Sequence, residues 1–311
     1  MNNQTIIDID TLDVIYLSYD EPNKEENWVK IHNMIPWATR VDGVKGSDAA
    51  HKAAADASDT DRFILIDGDN IPDEDFFNKQ LILNDLNSTH VFRWKARNNT
   101  NGLLYGNGGL SCWTKEFVYN MRTHESSAGD DETTVEFCFD PKYIAMYDCY
   151  STTYINASPF QAWRAGFREG VKMCLNRGVK PSVASFKEQA HKRNLDNLSI
   201  WHNVGRDVEN GIWSMLGSRM GTYMTMLNSA WDYREVRDFD ALKKIYDTID
   251  GHNPEIIAGR ISPDLHNQLD LPIIMLDEKS SKFFKNYYMI DRKNKGVMVT
   301  EMDVIREIEG W

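Results

Sequence analysis

The stretch R-F-I-L-I-D-G-D-N-I-P-D-E-D-F-F, Arg62 to Phe77, runs four consecutive apolar residues straight into two carboxylates set one glycine apart. A short apolar run bounded by turn formers reads as a strand buried on both faces, as strands in the middle of a helix-covered sheet are. Working outward, Asp13 to Ser18 (D-V-I-Y-L-S) is a second β-branched and aromatic run that opens into the loop Y-D-E-P-N. Between the two runs the pattern predicts a helix from Glu25 to Met34 stopped by Pro36, a strand from Ala38 to Val41, and a helix started by the N-cap candidate Ser47. Strand, helix, strand, helix, strand at this spacing predicts an α/β fold with a parallel, doubly wound sheet.

Beyond the turn, Asp73 to Leu86 reads as helix and His90 to Lys95 as strand, followed by a polar loop and the glycine-rich Y-G-N-G-G-L-S-C-W-T. That segment lacks G-x-G-x-x-G, so it is not a dinucleotide phosphate loop; its glycines suit a backbone that something approaches closely. Tyr143 to Tyr147 reads as strand or irregular chain, and Pro159 to Asn176 and Lys187 to Tyr223 read as helical. After Asp238 short helices alternate with apolar pieces, which sets the expected division at residues 1–225 for the main domain and 226–311 for a C-terminal extension.

A chain of 311 residues, 41% hydrophobic, has room for one large core with an appendage. No apolar run approaches the ~18 residues that cross a bilayer, so a cytoplasmic protein is expected. Cys112, Cys138, Cys149 and Cys174 form no C-x-x-C pair and are expected as free thiols. A net charge of −12 argues against a general nucleic-acid binder. The charge is uneven, however: Phe160 to Arg193 holds eight basic residues against two acidic ones, either a solvated helix face or an anion-binding one.

In open α/β sheets ligands bind beyond the carboxyl ends of the strands, where Asp67 and Asp69 stand. The pattern D-x-D by itself carries little weight, because the chain contains five. Only Asp67/Asp69 directly follows a buried-looking strand. Two hard oxygen donors on a tight turn suit Mg²⁺ or Mn²⁺, which takes one or two carboxylates plus substrate phosphates; the bland alternative is a polar turn of Asp, Gly and Asn.

Asp13 to Phe77 resembles the nucleotide-sugar-binding half of GT-A-fold glycosyltransferases, with V-I-Y-L-S-Y-D-E as first loop, R-V-D-G-V-K-G as second and F-I-L-I-D-G-D as metal turn. The resemblance implies a GT-A-like, mixed, mostly parallel sheet flanked by helices, with a helical C-terminal extension. Carried over residue by residue, it implies Ser18, Tyr19 and Asp20 beside the nucleotide, Arg40 and Lys45 beside base or phosphate, and Asp67 and Asp69 on a Mn²⁺ or Mg²⁺ that holds the donor diphosphate. Gly-Asp-Asp-Glu, 129 to 132, matches the position of a catalytic base; Asp131 is favoured, with Asp130 second and Glu132 open. His202, in L-S-I-W-H-N-V-G, is the candidate to complete the metal shell.

S-P-F-Q-A-W-R-A-G-F-R-E-G resembles the Q-x-x-R-W element of processive glycosyltransferases, with Gln161 and Arg164 in register. Ala165 stands at the tryptophan position, which speaks against a membrane polysaccharide synthase. Arg164 and Arg168, four apart on one helical face, suit a phosphate. The runs W-A-T-R-V-D-G-V-K-G-S-D-A-A-H-K-A-A-A and Q-A-W-R-A-G-F-R-E-G-V-K-M resemble glycosyltransferases encoded by large tailed bacteriophages, over Asp13 to Tyr223. Some of that group attach glucose or arabinose to hydroxymethylcytosine in phage DNA. The resemblance therefore implies a nucleotide-diphosphate-sugar donor, a UDP-sugar first among them, and double-stranded DNA as a partner in the host cytoplasm. The rival classes are a glycan- or protein-directed glycosyltransferase, a nucleotidyltransferase, a glycoside hydrolase and a non-catalytic binding module.

Overall fold

The computed structural model describes residues 4–121, 123, 138 and 140–288. Asp130, Asp131 and Glu132 lie outside them. The N-terminal part runs β1 (Thr5–Asp8), β2 (Asp13–Ser18), α1 (Lys24–Met34), β3 (Thr39–Asp42), α2 (Ser47–Ala57), β4 (Arg62–Asp67), β5 (Asn70–Pro72), β6 (Gln80–Leu83), β7 (Val91–Asn98), β8 (Leu104–Thr114), α3 (Lys115–Asn120) and β9 (Tyr143–Thr153). The rest is mostly helical: α4 (Pro159–Lys172), α5 (Phe186–Gln189), α6 (Lys192–Asn203), α7 (Gly211–Leu227), α8 (Phe239–Asp247), α9 (Pro254–Leu269) and α10 (Glu278–Phe283).

β4 is buried on both faces, as its apolar run predicts. Ile64 and Ile66 pack with Val14, Tyr16, Ile31 and Ile35 on the α1 side, while Phe63 and Leu65 pack with Ile15, Ala54, Ala55 and Trp113 on the α2 side. Each large side chain enclosed in this way contributes about 1.5–3 kcal/mol, so neither face of the strand is free to turn to solvent.

Seven strands form one sheet in the order β3-β2-β4-β8-β7-β9-β5, and β1 pairs with β6 in a separate two-stranded ribbon. The expected sheet was parallel or mostly parallel; the pairings are instead three parallel (β2 with β3, β2 with β4, β7 with β9) and three antiparallel (β4 with β8, β7 with β8, β5 with β9). The parallel pairings of β2 with β3 and β4 are the strand-helix unit that local pattern reveals. Two of the three antiparallel pairings depend on β8, where Y-G-N-G-G-L-S-C-W-T lies in a strand of 11 residues rather than a loop.

The D-G-D turn dictates the shape of this sheet. Asp67 ends β4 and Asn70 opens β5, so three residues, spanning about 11 Å at most, join strands that are four steps apart, about 19 Å in a flat sheet. The sheet must curl until its β5 edge returns to β4. The turn thus links the middle of the sheet to its far edge, held there by the pairing of Asn70 with Thr153 and Ile71 with Thr152.

Two further expectations are corrected. Asp73 to Leu86 is not a helix: Glu74–Asn78 is a 3-10 turn, and Gln80–Leu83 alternates exposed and buried residues as it pairs with β1. Lys187 to Tyr223 is three helices, because the chain breaks before α6 and again at Gly205, whose φ is +149°. A boundary at residue 225 falls within α7, whose neighbours in the core come from both sides of it. The four cysteines are free thiols. No helix among the described residues is long and apolar enough to cross a membrane.

Candidate functional site

The carboxyl ends of β2, β3 and β4 lie side by side, and most of the residues singled out in the sequence collect there. Three hydrogen bonds to its backbone fix the D-G-D turn, and a fourth holds one of their donors. The Gly68 carbonyl accepts hydrogen bonds from the Tyr16 hydroxyl at 2.8 Å and Asn27 Nδ2 at 2.9 Å. The Asp69 carbonyl accepts from the Tyr154 amide at 2.7 Å, and Asn23 Nδ2 donates to the Tyr154 carbonyl at 3.2 Å. With its backbone held from β2, α1 and the end of β9, the turn presents its side chains in a set direction rather than sampling many.

Gly68 is not needed for a left-handed turn, since its φ is not positive. A Cβ there would stand 2.5 Å from Oε2 of Glu21, so any larger residue would push the Glu21 carboxylate aside. Glu21, which sequence reasoning passed over, folds back from the loop after β2, accepts a hydrogen bond from the Tyr19 amide at 2.8 Å and lies over the glycine. The signal was present in the Y-D-E loop that follows the strand, but only the pairing of β2 with β4 brings it to the turn.

Three carboxylates, Asp67, Asp69 and Glu21, therefore act electrostatically on one another at this half-buried turn. Burial pushes the Asp67 carboxyl well above the ordinary range, and the charges of Asp69 and Glu21 push it further. Burial also raises Asp69, to about 6, with Glu21 adding to the rise; Thr153, Arg164 and Asn70 oppose it. Buried Asn70 brings Nδ2 to 3.5 Å from the Asp69 carboxylate, and its Oδ1 has no hydrogen-bond partner. A site that concentrates negative charge away from water is one that a cation would relieve.

The donor set fits Mg²⁺ or Mn²⁺ in a particular sense. Asp67 and Asp69 supply hard oxygens, and an ion of this class needs only one or two carboxylates when waters and substrate phosphates complete its shell. Among the described residues, no group of three or more His, Cys, Asp or Glu side chains is placed to hold a metal alone. His202 is a correction in this respect. It is fully buried in α6, with Nε2 3.1 Å from the Thr222 hydroxyl of α7, and burial, aided by the charge of Arg219, lowers its pKa to about 3. The structure makes it part of a helix-helix interface and does not bring it to Asp67 and Asp69.

The remaining residues fall into two groups. At the ends of β2 and β3, buried Ser18 donates to Asp42 at 2.7 Å and accepts from Arg40 Nε at 3.2 Å, while Arg40 forks onto Glu25 with two contacts of 2.7 Å. Lys24 joins them at 2.8 Å from Asp42. Tyr19 is exposed beside this network, and Lys45 is exposed in the loop before α2. On the other side, Arg164 of α4 pairs with Asp20 at 3.1 Å. Its neighbour Arg168 lies 5.0 Å over the ring of Phe239.

The basic stretch from Phe160 to Arg193 is largely engaged. Arg164 is on Asp20, Lys172 on Glu169, Lys187 on Asp270 and Arg168 on the Phe239 ring. No protein-family model and no curated protein sequence matches the chain.

Proposed function

We propose that this protein is a metal-dependent glycosyltransferase of GT-A type that moves a sugar from a nucleotide-diphosphate donor to a hydroxyl. The observation that carries the reading is the turn at the end of β4: Asp67 and Asp69, rigidly anchored and pressed against Glu21, on the edge shared with the ends of β2 and β3. The resemblance of Asp13 to Phe77 to nucleotide-sugar-binding halves supplies the class of ligand.

In this reading Asp67 and Asp69 hold Mn²⁺ or Mg²⁺, which offsets the charge that develops on the departing diphosphate. The chain's own residues do the rest. Ser18 and the exposed Tyr19 border the nucleotide, and the Arg40–Glu25–Asp42 network fixes the floor beneath it. Arg164 offers a planar fork of N–H donors to phosphate oxygens. The anchored turn keeps these groups aligned without reorganisation as charge shifts, which is where electrostatic catalysis gains most. The base that takes the acceptor proton is assigned by resemblance to Asp131 or Asp130.

Hydroxymethylcytosine in phage DNA is the first acceptor proposed, on the strength of the resemblance. The engagement of Arg164, Arg168, Lys172 and Lys187 removes much of the basic face such an acceptor would use, and favours as second reading an acceptor without phosphates, such as a glycan. Incubation with Mn²⁺, a panel of nucleotide sugars, and either hydroxymethylcytosine DNA or oligosaccharides, followed by mass spectrometry, decides between them. The expected result is a hexose or pentose mass on one acceptor, lost in Asp69→Asn. Donors that stay intact with every acceptor, or transfer undiminished in Asp69→Asn, would overturn the proposal.

A further inference from the structure

The pair Asp20–Arg164 ties the loop after β2 to α4, with Arg164 Nη1 3.1 Å from Oδ2 and Nη2 3.4 Å from Oδ1. Its two halves are held very differently. Arg164 retains 12% of its side-chain exposure, with its guanidinium 4.4 Å over the ring of Phe239 and 5.3 Å over that of Phe160; Asp20 retains 46%. The cation is fixed by packing, and the anion is free to swing into solvent. Asp20 also lies between Tyr19 and Glu21, in the loop whose Glu21 covers Gly68, so the ion pair tethers that loop to α4.

A carboxylate fills the guanidinium fork with two oxygens in one plane, which is also how a phosphate fills it. The charge of Arg164 acts on Asp69 as well, so the fork is within electrostatic reach of the metal turn. Arg164 cannot serve Asp20 and a diphosphate with the same N–H groups. We infer that Asp20 is a latch: its carboxylate occupies Arg164 in the free protein, and the diphosphate of an arriving donor displaces it and releases the Tyr19–Glu21 segment. The inference rests on the glycosyltransferase reading, and it gives Asp20 the role of internal competitor rather than nucleotide contact.

A partly exposed ion pair of this kind is worth up to about 1 kcal/mol, so its removal strengthens binding of a competing anion by up to about fivefold. The test is calorimetric titration of the full chain with inorganic pyrophosphate, with and without Mg²⁺, on wild type, Asp20→Asn, Arg164→Lys and Arg164→Gln, each first shown to melt cooperatively. Mg²⁺-dependent binding that tightens about two- to fivefold in Asp20→Asn, and weakens about tenfold or more in Arg164→Lys and Arg164→Gln, supports the latch. Binding seen only in Asp20→Asn is the same result in its extreme form. Wild-type binding that Asp20→Asn leaves equal or weakens overturns the latch while the glycosyltransferase reading stands. Binding by none of the proteins overturns both.

Discussion

Asp69 is a residue the fold would be more stable without. Its carboxyl is raised from the ordinary 3.8 to about 6, so the folded state binds the proton more tightly than the unfolded state does. Stability from this group is present at low pH and lost as pH rises through about 6. At pH 7 the penalty is complete, and Asp69→Asn is expected to stabilise the metal-free protein by about 1–3 kcal/mol, a few degrees in Tm, while abolishing transfer. Calorimetric melts at pH 7 and pH 4 check this, since the difference should shrink to roughly 0.5 kcal/mol at pH 4, close to the unfolded value of 3.8; a variant no more stable at pH 7 would show that the carboxylate is not desolvated.

His202 has the opposite sign. Its folded pKa, about 3, lies below the unfolded 6.5, so between these values the unfolded chain binds the proton and stability falls as pH falls. From pH 6.5 to 5, wild type should lose about 1–2 kcal/mol more than His202→Gln in urea denaturation, and equal losses would contradict the buried neutral imidazole. The two residues show what was legible at this scale. Asp67 and Asp69 stood out because a buried strand runs into them. Glu21 and the interface role of His202 did not, because each is defined by a partner 47 or 20 residues away, Gly68 and Thr222.

The α4–α7 pair is the tightest contact between elements. A Cβ on Gly166 or Gly170 would overlap the carbonyls of Ser214 and Ser218, and one on Gly217 or Gly221 would overlap those of Trp163 and Phe167. The obstacle is backbone on both sides, so neither helix can yield by changing a rotamer. Alanine in a helix is otherwise about 1 kcal/mol better than glycine, and Gly259 in α9, with nothing within 4 Å of its would-be Cβ, is a control. Gly217→Ala is expected to destabilise by about 1–3 kcal/mol and Gly259→Ala to stabilise by about 0.5–1 kcal/mol, read as urea midpoints. Matching shifts of the same sign would mean that α4 and α7 are not in backbone contact.

These glycines were visible in the sequence, but a glycine facing a helix looks the same as one facing water until its partner is known. The same limit explains the elements. The units from β2 to β4 are joined by local helices, and their pattern sufficed. β6 and β8 are defined by antiparallel pairing with β1 and with β4 and β7, which hydrophobic periodicity within either segment does not encode.

On the scale of the whole molecule, the helices after α7 share their cores with α4 to α7, and reach the sheet through Leu103, Leu104 and Ile155 at its border. Leu242, Tyr246 and Ala258 pack with Trp163 and Phe167, while Leu265, Leu269 and Leu271 pack in the cluster that holds Leu103 and Ile155. Lys285 reaches back to Asp207 at 2.7 Å and to the Thr100 carbonyl at 3.2 Å. Five large buried side chains at about 1.5–3 kcal/mol each amount to roughly 8–15 kcal/mol, comparable with the entire 5–15 kcal/mol stability of a typical protein. The helices after α7 are therefore part of what keeps the site assembled, and Phe239 of α8 is the ring that fixes Arg164. A chain ending at Leu227 is expected to aggregate or to lack a cooperative melt, whereas the full chain melts with the sheet and helices coupled. A soluble 1–227 fragment that melts cooperatively and gives the same pyrophosphate titration with Mg²⁺ as that measured for the full chain would show the opposite: that the curled sheet and α4 to α7 alone hold the D-G-D turn and Arg164 in place.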